Sequence, residues 1–132
     1  MSEYDKTRAL AARLFDAIER GDVDGVADCY APDLVVWHNF DNLDQSREDN
    51  LKTLAGMIER ISERRYEQRR VDVFDGGFVQ QHVLTGRRKD GVYVSMPGVL
   101  VGTLKDGKIS RLNEYLDSAH VAAFRAQVGS PA

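Results

Sequence analysis

From Tyr66 onward the hydrophobic pattern changes from a helical period to a period of two, and three glycine-bearing turns follow at short intervals. They are Asp75-Gly76-Gly77, Lys89-Asp90-Gly91 and Lys105-Asp106-Gly107, each with a glycine suited to the positive φ of a tight hairpin. They separate four expected strands, Tyr66–Phe74, Phe78–Arg87, Val92–Leu104 and Lys108–Leu116. Connections this short make neighbours antiparallel, so this half of the chain reads as a meander. Pro97-Gly98 interrupts the third strand, where proline donates no ladder hydrogen bond. A bulge or bend is expected there, curling the sheet and giving it a concave face.

The part before Tyr66 reads mainly as helix. Leu10, Ala11, Leu14, Phe15 and Ile18 recur at helical spacing until Gly21 stops the run. Asp22 caps a second, short helix carrying Val23, Val26, Ala27 and Tyr30, which Pro32 ends. Leu34-Val35-Val36-Trp37 is a short β-rich run. Ser46, with Asp49 three residues on, starts a third helix whose stripe is Leu51, Leu54, Ala55, Ile58 and Ile61. A last helix is expected over Ser118–Val128. At 132 residues this is a single domain spanning 1–132, with no linker or repeat. The expected fold is α+β: a cone-shaped, curved antiparallel sheet packed against three N-terminal helices, closed by a short C-terminal helix. Val71, Val73, Val79, Val83, Val99 and Val101 are candidates for the sheet's other face, which points to a homodimer through the back of the sheet.

Charge narrows the partners. Eighteen Lys and Arg against 21 Asp and Glu leave −3, and the basic run Arg60–Arg70 is broken by Glu63 and Glu67. A nucleic-acid partner, which wants a clustered basic face, is not expected. No apolar run approaches the ~20 residues of a membrane span, and the first residues show no signal-peptide pattern. No membrane partner is expected, and the cytoplasm is the default location. The single cysteine, Cys29, follows Asp28 and sits where a small buried residue is needed, so it reads as core.

Candidate chemistry gathers at three places. Trp37-His38-Asn39 closes the first strand, with Val36 and His38 on one face, Val35 and Trp37 on the other, and Asn39 at the mouth. In the strand after Gly77, alternation groups Gln80, His82 and Leu84. Turned inward, Gln80 and His82 need a polar pocket, since each unpartnered polar group costs roughly 1–3 kcal/mol to bury. Turned outward, they leave Gln81 as the misplaced polar residue. In the last strand Glu114 stands between Leu112 and Leu116, either as a carboxylate whose pKa desolvation raises for acid–base work or as the partner of a rim arginine. His38, His82 and Glu114 have no local metal-ligand spacing, so no metal and no cofactor is expected. Tyr30, Trp37, Leu54, Ile58, Met96 and Leu100 are candidates for the apolar wall, with Gln80 and Leu84 beside them.

The element order resembles the nuclear-transport-factor-2-like superfamily from about Tyr4 to Phe124, and local cues are similar to its SnoaL-like, ketosteroid-isomerase-like branch. Those cues are Ala31-Pro32-Asp33, Trp37-His38-Asn39, Asp106-Gly107-Lys108-Ile109 and Glu114-Tyr115-Leu116-Asp117. The resemblance implies a pocket at the open end of the cone, in a superfamily holding isomerases, polyketide cyclases, dehydratases and plain binding domains. The aspartate base of ketosteroid isomerases falls on His38. The Tyr and Asn of limonene-epoxide-hydrolase-like enzymes fall on Trp37 and Asn39, their Arg-x-Asp pair on His82 and Leu84, and their acid on Glu114. Epoxide opening therefore lacks its arginine and aspartate. The expectation is an enzyme acting on a small, mostly apolar, oxygenated molecule by general acid–base catalysis. In it His38 moves the proton, Glu114 and His82 orient or donate, and Asn39 holds a carbonyl or water. A module that binds such a molecule without turnover, or a dimerisation domain with a vestigial pocket, are the alternatives.

Overall fold

A computed structural model describes residues 1–129. Its elements follow in the order α1 (Glu3–Glu19), α2 (Val23–Cys29), β1 (Tyr30–His38), β2 (Asp44–Ser46), α3 (Arg47–Arg60), β3 (Ile61–Phe74), β4 (Gly77–Arg88), β5 (Tyr93–Lys105), β6 (Lys108–Leu116) and α4 (Ser118–Arg125). Capping chemistry sets the helix starts. Ser2 accepts from the Asp5 amide while the Asp5 carboxylate accepts from the Ser2 amide; Asp22 accepts from Gly25, and Ser46 from Asp49. Leu10, Ala11, Leu14, Phe15 and Ile18 bury one side of α1 as the core, packed with Val26, Leu34, Val36, Phe78 and Leu112. Among the described residues no helix is long and apolar enough to cross a membrane.

The strands make one curved sheet in the order β2-β1-β6-β5-β4-β3. From β3 to β6 it is the expected antiparallel meander; β1 joins it parallel to β6, so the sheet is mixed. The fold class read from the sequence therefore stands, with this one parallel pairing and the short strand β2 added.

The bend lies elsewhere than expected. Pairing of β4 with β5 runs unbroken through His82↔Gly98 and Val83↔Pro97. The β5–β6 ladder begins at Gly98↔Leu116, so Pro97 has no partner strand on that flank and its missing N–H is tolerated there. Two irregularities sit in β3, between Ser62 and Arg65 and between Glu67 and Arg70, around Glu63 and Gln68, both at φ 55°; others lie between Thr103 and Leu104 against β6 and between Tyr30 and Val35 in β1. Each of the two in β3 inserts one extra residue and bends the strand around α1. β3 also begins at Ile61, five residues before the sequence pattern shows it, because the bulges hide its alternation. Tyr30, expected on the second helix, opens β1, and α4 ends at Arg125 short of Val128.

Register aligns residues in rows across the concave face. Val71 lies opposite Gln80, Gln80 opposite Leu100, Leu100 opposite Glu114, and Glu114 beside His38. The next row runs Phe78, Gly102, Leu112, Val36. Gly102 is required there, since a Cβ would stand 2.5 Å from the Phe78 ring that fills its place. Val71 and Val73 therefore face the helices and pack on the core, which corrects their placement on the back of the sheet. Val79, Val83, Val99 and Val101 do lie on the outer face, in rows with Trp37 and Tyr115.

Candidate active site

A cavity of about 120 Å³ lies between the concave face and the helices α1, α3 and α4. It is on the order of the ~150 Å³ apolar cavity that accepts benzene, and smaller than the ~300–1,000 Å³ of drug-sized sites. The alternation along β4 and β6 turns His82 and Glu114 inward, and the end of β1 brings His38 beside them. His38 Nε2 is 3.6 Å from Glu114 Oε2, and His38 Nδ1 is 4.0 Å from Asp41 Oδ1.

Burial acts on each of these groups in the direction of neutrality. It pushes the Glu114 carboxyl up to about 7, with the Arg125 charge pulling weakly the other way. A quarter of the Glu114 side-chain surface remains accessible, and it lines the cavity rather than pointing away from it. Burial lowers the His38 imidazole below its ordinary value, opposed by Asp41 and assisted by Arg125. His82 is pushed down to about 4 by burial and then by Arg69. Its Nδ1 lies 2.8 Å from Gln80 Nε2. The amide donates, so neutral His82 carries its proton on Nε2 and is a donor there. Phe15, tilted, and Tyr66, edge-on, hold the ring at 5.3 and 4.7 Å between centroids.

Tyr30, Leu54, Leu84, Met96 and Leu100 line the cavity as expected of them. Four other expected residues lie outside it. Asn39 is exposed and spent on structure: its side-chain oxygen accepts from the Leu116 amide at 2.8 Å and its own amide donates to the Glu114 carbonyl, clamping β1 to β6. Trp37 points to the outer face, edge-on to Tyr115, with its indole N–H donated to Asn42. Gln80 is buried behind His82 with its oxygen unpartnered, and Ile58 turns toward Gly21. Cys29 is buried with its thiol pushed up by desolvation and donated to the Gly25 carbonyl. Among the described residues no three His, Cys, Asp or Glu side chains gather as a metal-binding set.

Several lining groups were not read from the sequence. Tyr66 contributes a phenol that burial, then the Glu114 charge, keeps protonated. Tyr30 donates to Asn50 at 2.8 Å, Asn50 donates to Gln45, and Gln45 donates to Thr53, a side-chain chain along α3 that fixes this wall. Phe40, Met57, Arg60, Val121, Phe124 and Arg125 also line it, and Val99 borders it from the sheet. The apolar stripe of α3 was the available signal, and the structure shows it half-buried because it covers a cavity rather than a filled core.

A model of the SnoaL-like domain matches residues 11–112. The chain belongs to the SnoaL-like family. That match contains His38 and His82 and stops two residues before Glu114, whose place in the site therefore rests on the geometry. Among solved structures the SnoaL-like chain is similar to a candidate polyketide cyclase from Xanthomonas campestris pv. campestris, with TM-score 0.82 and 19% identity over 95% of this chain and 100% of that one. It is also similar to a candidate SnoaL-like polyketide cyclase from Jannaschia sp. CCS1, with TM-score 0.79 and 21% identity over 97% and 98%. AclR of Streptomyces galilaeus, a candidate hydroxylase, gives 0.82 and 17% over 92% and 96%. Identities this low establish the SnoaL-like fold and leave the reaction open. Among curated proteins none matches.

Proposed function

We propose that this SnoaL-like domain is a small-molecule enzyme that moves a proton on an apolar, oxygenated substrate, as isomerases, aldol-type cyclases and dehydratases do. The observation that supports it is the His38–Glu114 pair, 3.6 Å apart on one cavity. Neutral His38 accepts the proton at Nε2, and protonated Glu114 donates to the oxygen on which charge develops. His82 Nε2–H and the Tyr66 hydroxyl are further neutral donors on the same cavity. An oxyanion stabilised by such donors in a dry cavity gains more than it would in water, because the surrounding dielectric is low. With about 120 Å³ open, the occupant is a single small ring or its acyclic equivalent.

These reactions share removal of a proton next to a carbonyl, so the test needs no knowledge of the natural substrate. Deuterium exchange at the α-carbon of cyclohexanone and cyclohexenone in D2O is followed by NMR. The wild type is expected to exchange above the buffer rate near pH 6.5, and His38→Gln to lose at least about 100-fold. Equal exchange in wild type and variant removes His38 from the mechanism. Ligand binding without any exchange assigns the cavity to a binding module. The proposal also includes a homodimer through the outer face of the sheet.

A further inference from the structure

Two arginines line the cavity, Arg60 in the last turn of α3 and Arg125 in the last turn of α4. A cation in a last turn complements the helix dipole by about 0.3–1 kcal/mol. That accounts for a basic residue at each helix end, and not for two of them turned onto a cavity walled by Leu54, Met57, Leu84, Met96 and Phe124. Arg20, Arg69, Arg70, Arg87, Arg88 and Arg111 each hold a carboxylate. Among the described residues neither Arg60 nor Arg125 does. Arg60 Nε is buried with no hydrogen-bond partner, which carries a desolvation cost unless a ligand supplies an acceptor. The Arg125 guanidinium lies over the Phe40 ring, 5.1 Å from its centroid, and its charge reaches both His38 and Glu114. Glu114 is the acidic residue on this cavity. The cavity thus carries two fixed positive charges against a single carboxyl that burial disposes to stay protonated.

We infer that the cavity takes an amphipathic carboxylate, its compact apolar body against Leu84 and Met96 and its carboxylate on the side lined by Arg60 and Arg125. The inference rests on the small-molecule reading of this cavity and names the substrate class. A guanidinium matches a planar carboxylate with paired N–H donors, which gives the pair geometric specificity, and here Arg60 is half-buried and Arg125 exposed. The small volume favours a carboxylate over the bulkier phosphate ester.

Benzoate, its neutral isostere benzamide, and phenyl phosphate are titrated by calorimetry at pH 6.0, where Glu114 keeps its proton and benzoate is ionised, against the full chain. Benzoate is expected to bind about tenfold tighter than benzamide, a difference of about 1.4 kcal/mol. Arg60→Gln and Arg125→Gln are each expected to weaken benzoate several-fold and to leave benzamide unchanged, with thermal unfolding confirming that each variant is folded. Benzamide binding as well as benzoate overturns the inference, as does a benzoate preference that survives the double variant. Arginine-dependent binding of phenyl phosphate without benzoate overturns the carboxylate assignment. If ketone exchange persists while benzoate does not bind, the substrate class fails and the enzyme reading stands. If benzoate binds through the arginines and exchange is absent, the enzyme reading fails and the carboxylate site stands.

Discussion

At the scale of single residues, Glu114 and His82 pull the pH dependence of stability in opposite directions. Glu114 is raised from 4.5 to about 7, so the folded state holds an extra proton between those values. Stability from this group therefore falls as pH rises from about 4.5 through 7, by on the order of 3 kcal/mol in all. His82 is lowered from 6.5 to about 4, so the unfolded state holds the extra proton there and stability rises over that range as pH increases. The two nearly cancel between pH 4.5 and 6.5. Glu114→Gln removes one limb. The variant is expected to match wild type near pH 4 and to exceed it at pH 8 by about 3 kcal/mol in urea unfolding. A difference that is the same at both pH values would mean that Glu114 is not desolvated in the folded protein. Its position between two leucines made this group legible in the sequence, as alternation did for His82. Asn39 was misread because a strand-end amide is equally suited to a ligand and to the neighbouring strand, and here Leu116 takes it. Tyr66, Arg60 and Arg125 were missed because their convergence depends on how β3 bends and where α3 and α4 dock, which no local spacing records.

At the scale of elements, the turns and caps were legible because each depends on residues adjacent in sequence: Asp106 and Gly107, both at positive φ, and Ser46 with Asp49. The bend of β3 was not, because Glu63 and Gln68 take a left-handed conformation without glycine. Arg64 stands beside the first bulge and is what ties it down. Its guanidinium donates to the carbonyls of Ile18 and Glu19 at the end of α1 and of Ile58 and Ile61 at the end of α3. Carbonyls at helix ends lack intrahelical partners, so one side chain satisfies two helix termini and anchors β3 to both. Arg64→Ala is expected to cost about 2–4 kcal/mol in urea unfolding, from several charge-assisted hydrogen bonds lost at a half-buried site. Arg64→Lys is expected to recover less than half, because a single ammonium cannot span four carbonyls. A lysine variant as stable as wild type would show that charge alone, and not the fork, is what the two helix ends require.

At the scale of the whole molecule, the period-two alternation that builds the cavity builds a second apolar surface behind it. Leu100 and Glu114 face the cavity, and their neighbours Val99 and Tyr115 face outward, paired with each other across β5 and β6. Val99 and Tyr115 are 37% and 45% exposed, and Trp37, Val79, Val83, Pro97 and Val101 share that face with them. A patch of this composition, on a sheet face that no helix covers among the described residues, is the surface on which the proposed homodimer rests. An isologous contact would place a residue such as Val99 near the two-fold axis, so one substitution counts twice. Val99→Glu is therefore expected to convert a dimer into a monomer in sedimentation, and to abolish the rise of thermal midpoint with protein concentration that a dimer shows. A wild type that sediments as a monomer at its highest soluble concentration would remove the dimer. Val101→Glu, on the same outer face and outside the cavity lining, is expected to leave α-proton exchange within about twofold of wild type once the monomer is folded. A large loss of exchange in a folded Val101→Glu monomer would instead mean that the partner's sheet holds the cavity wall in place, and that the active unit is the pair.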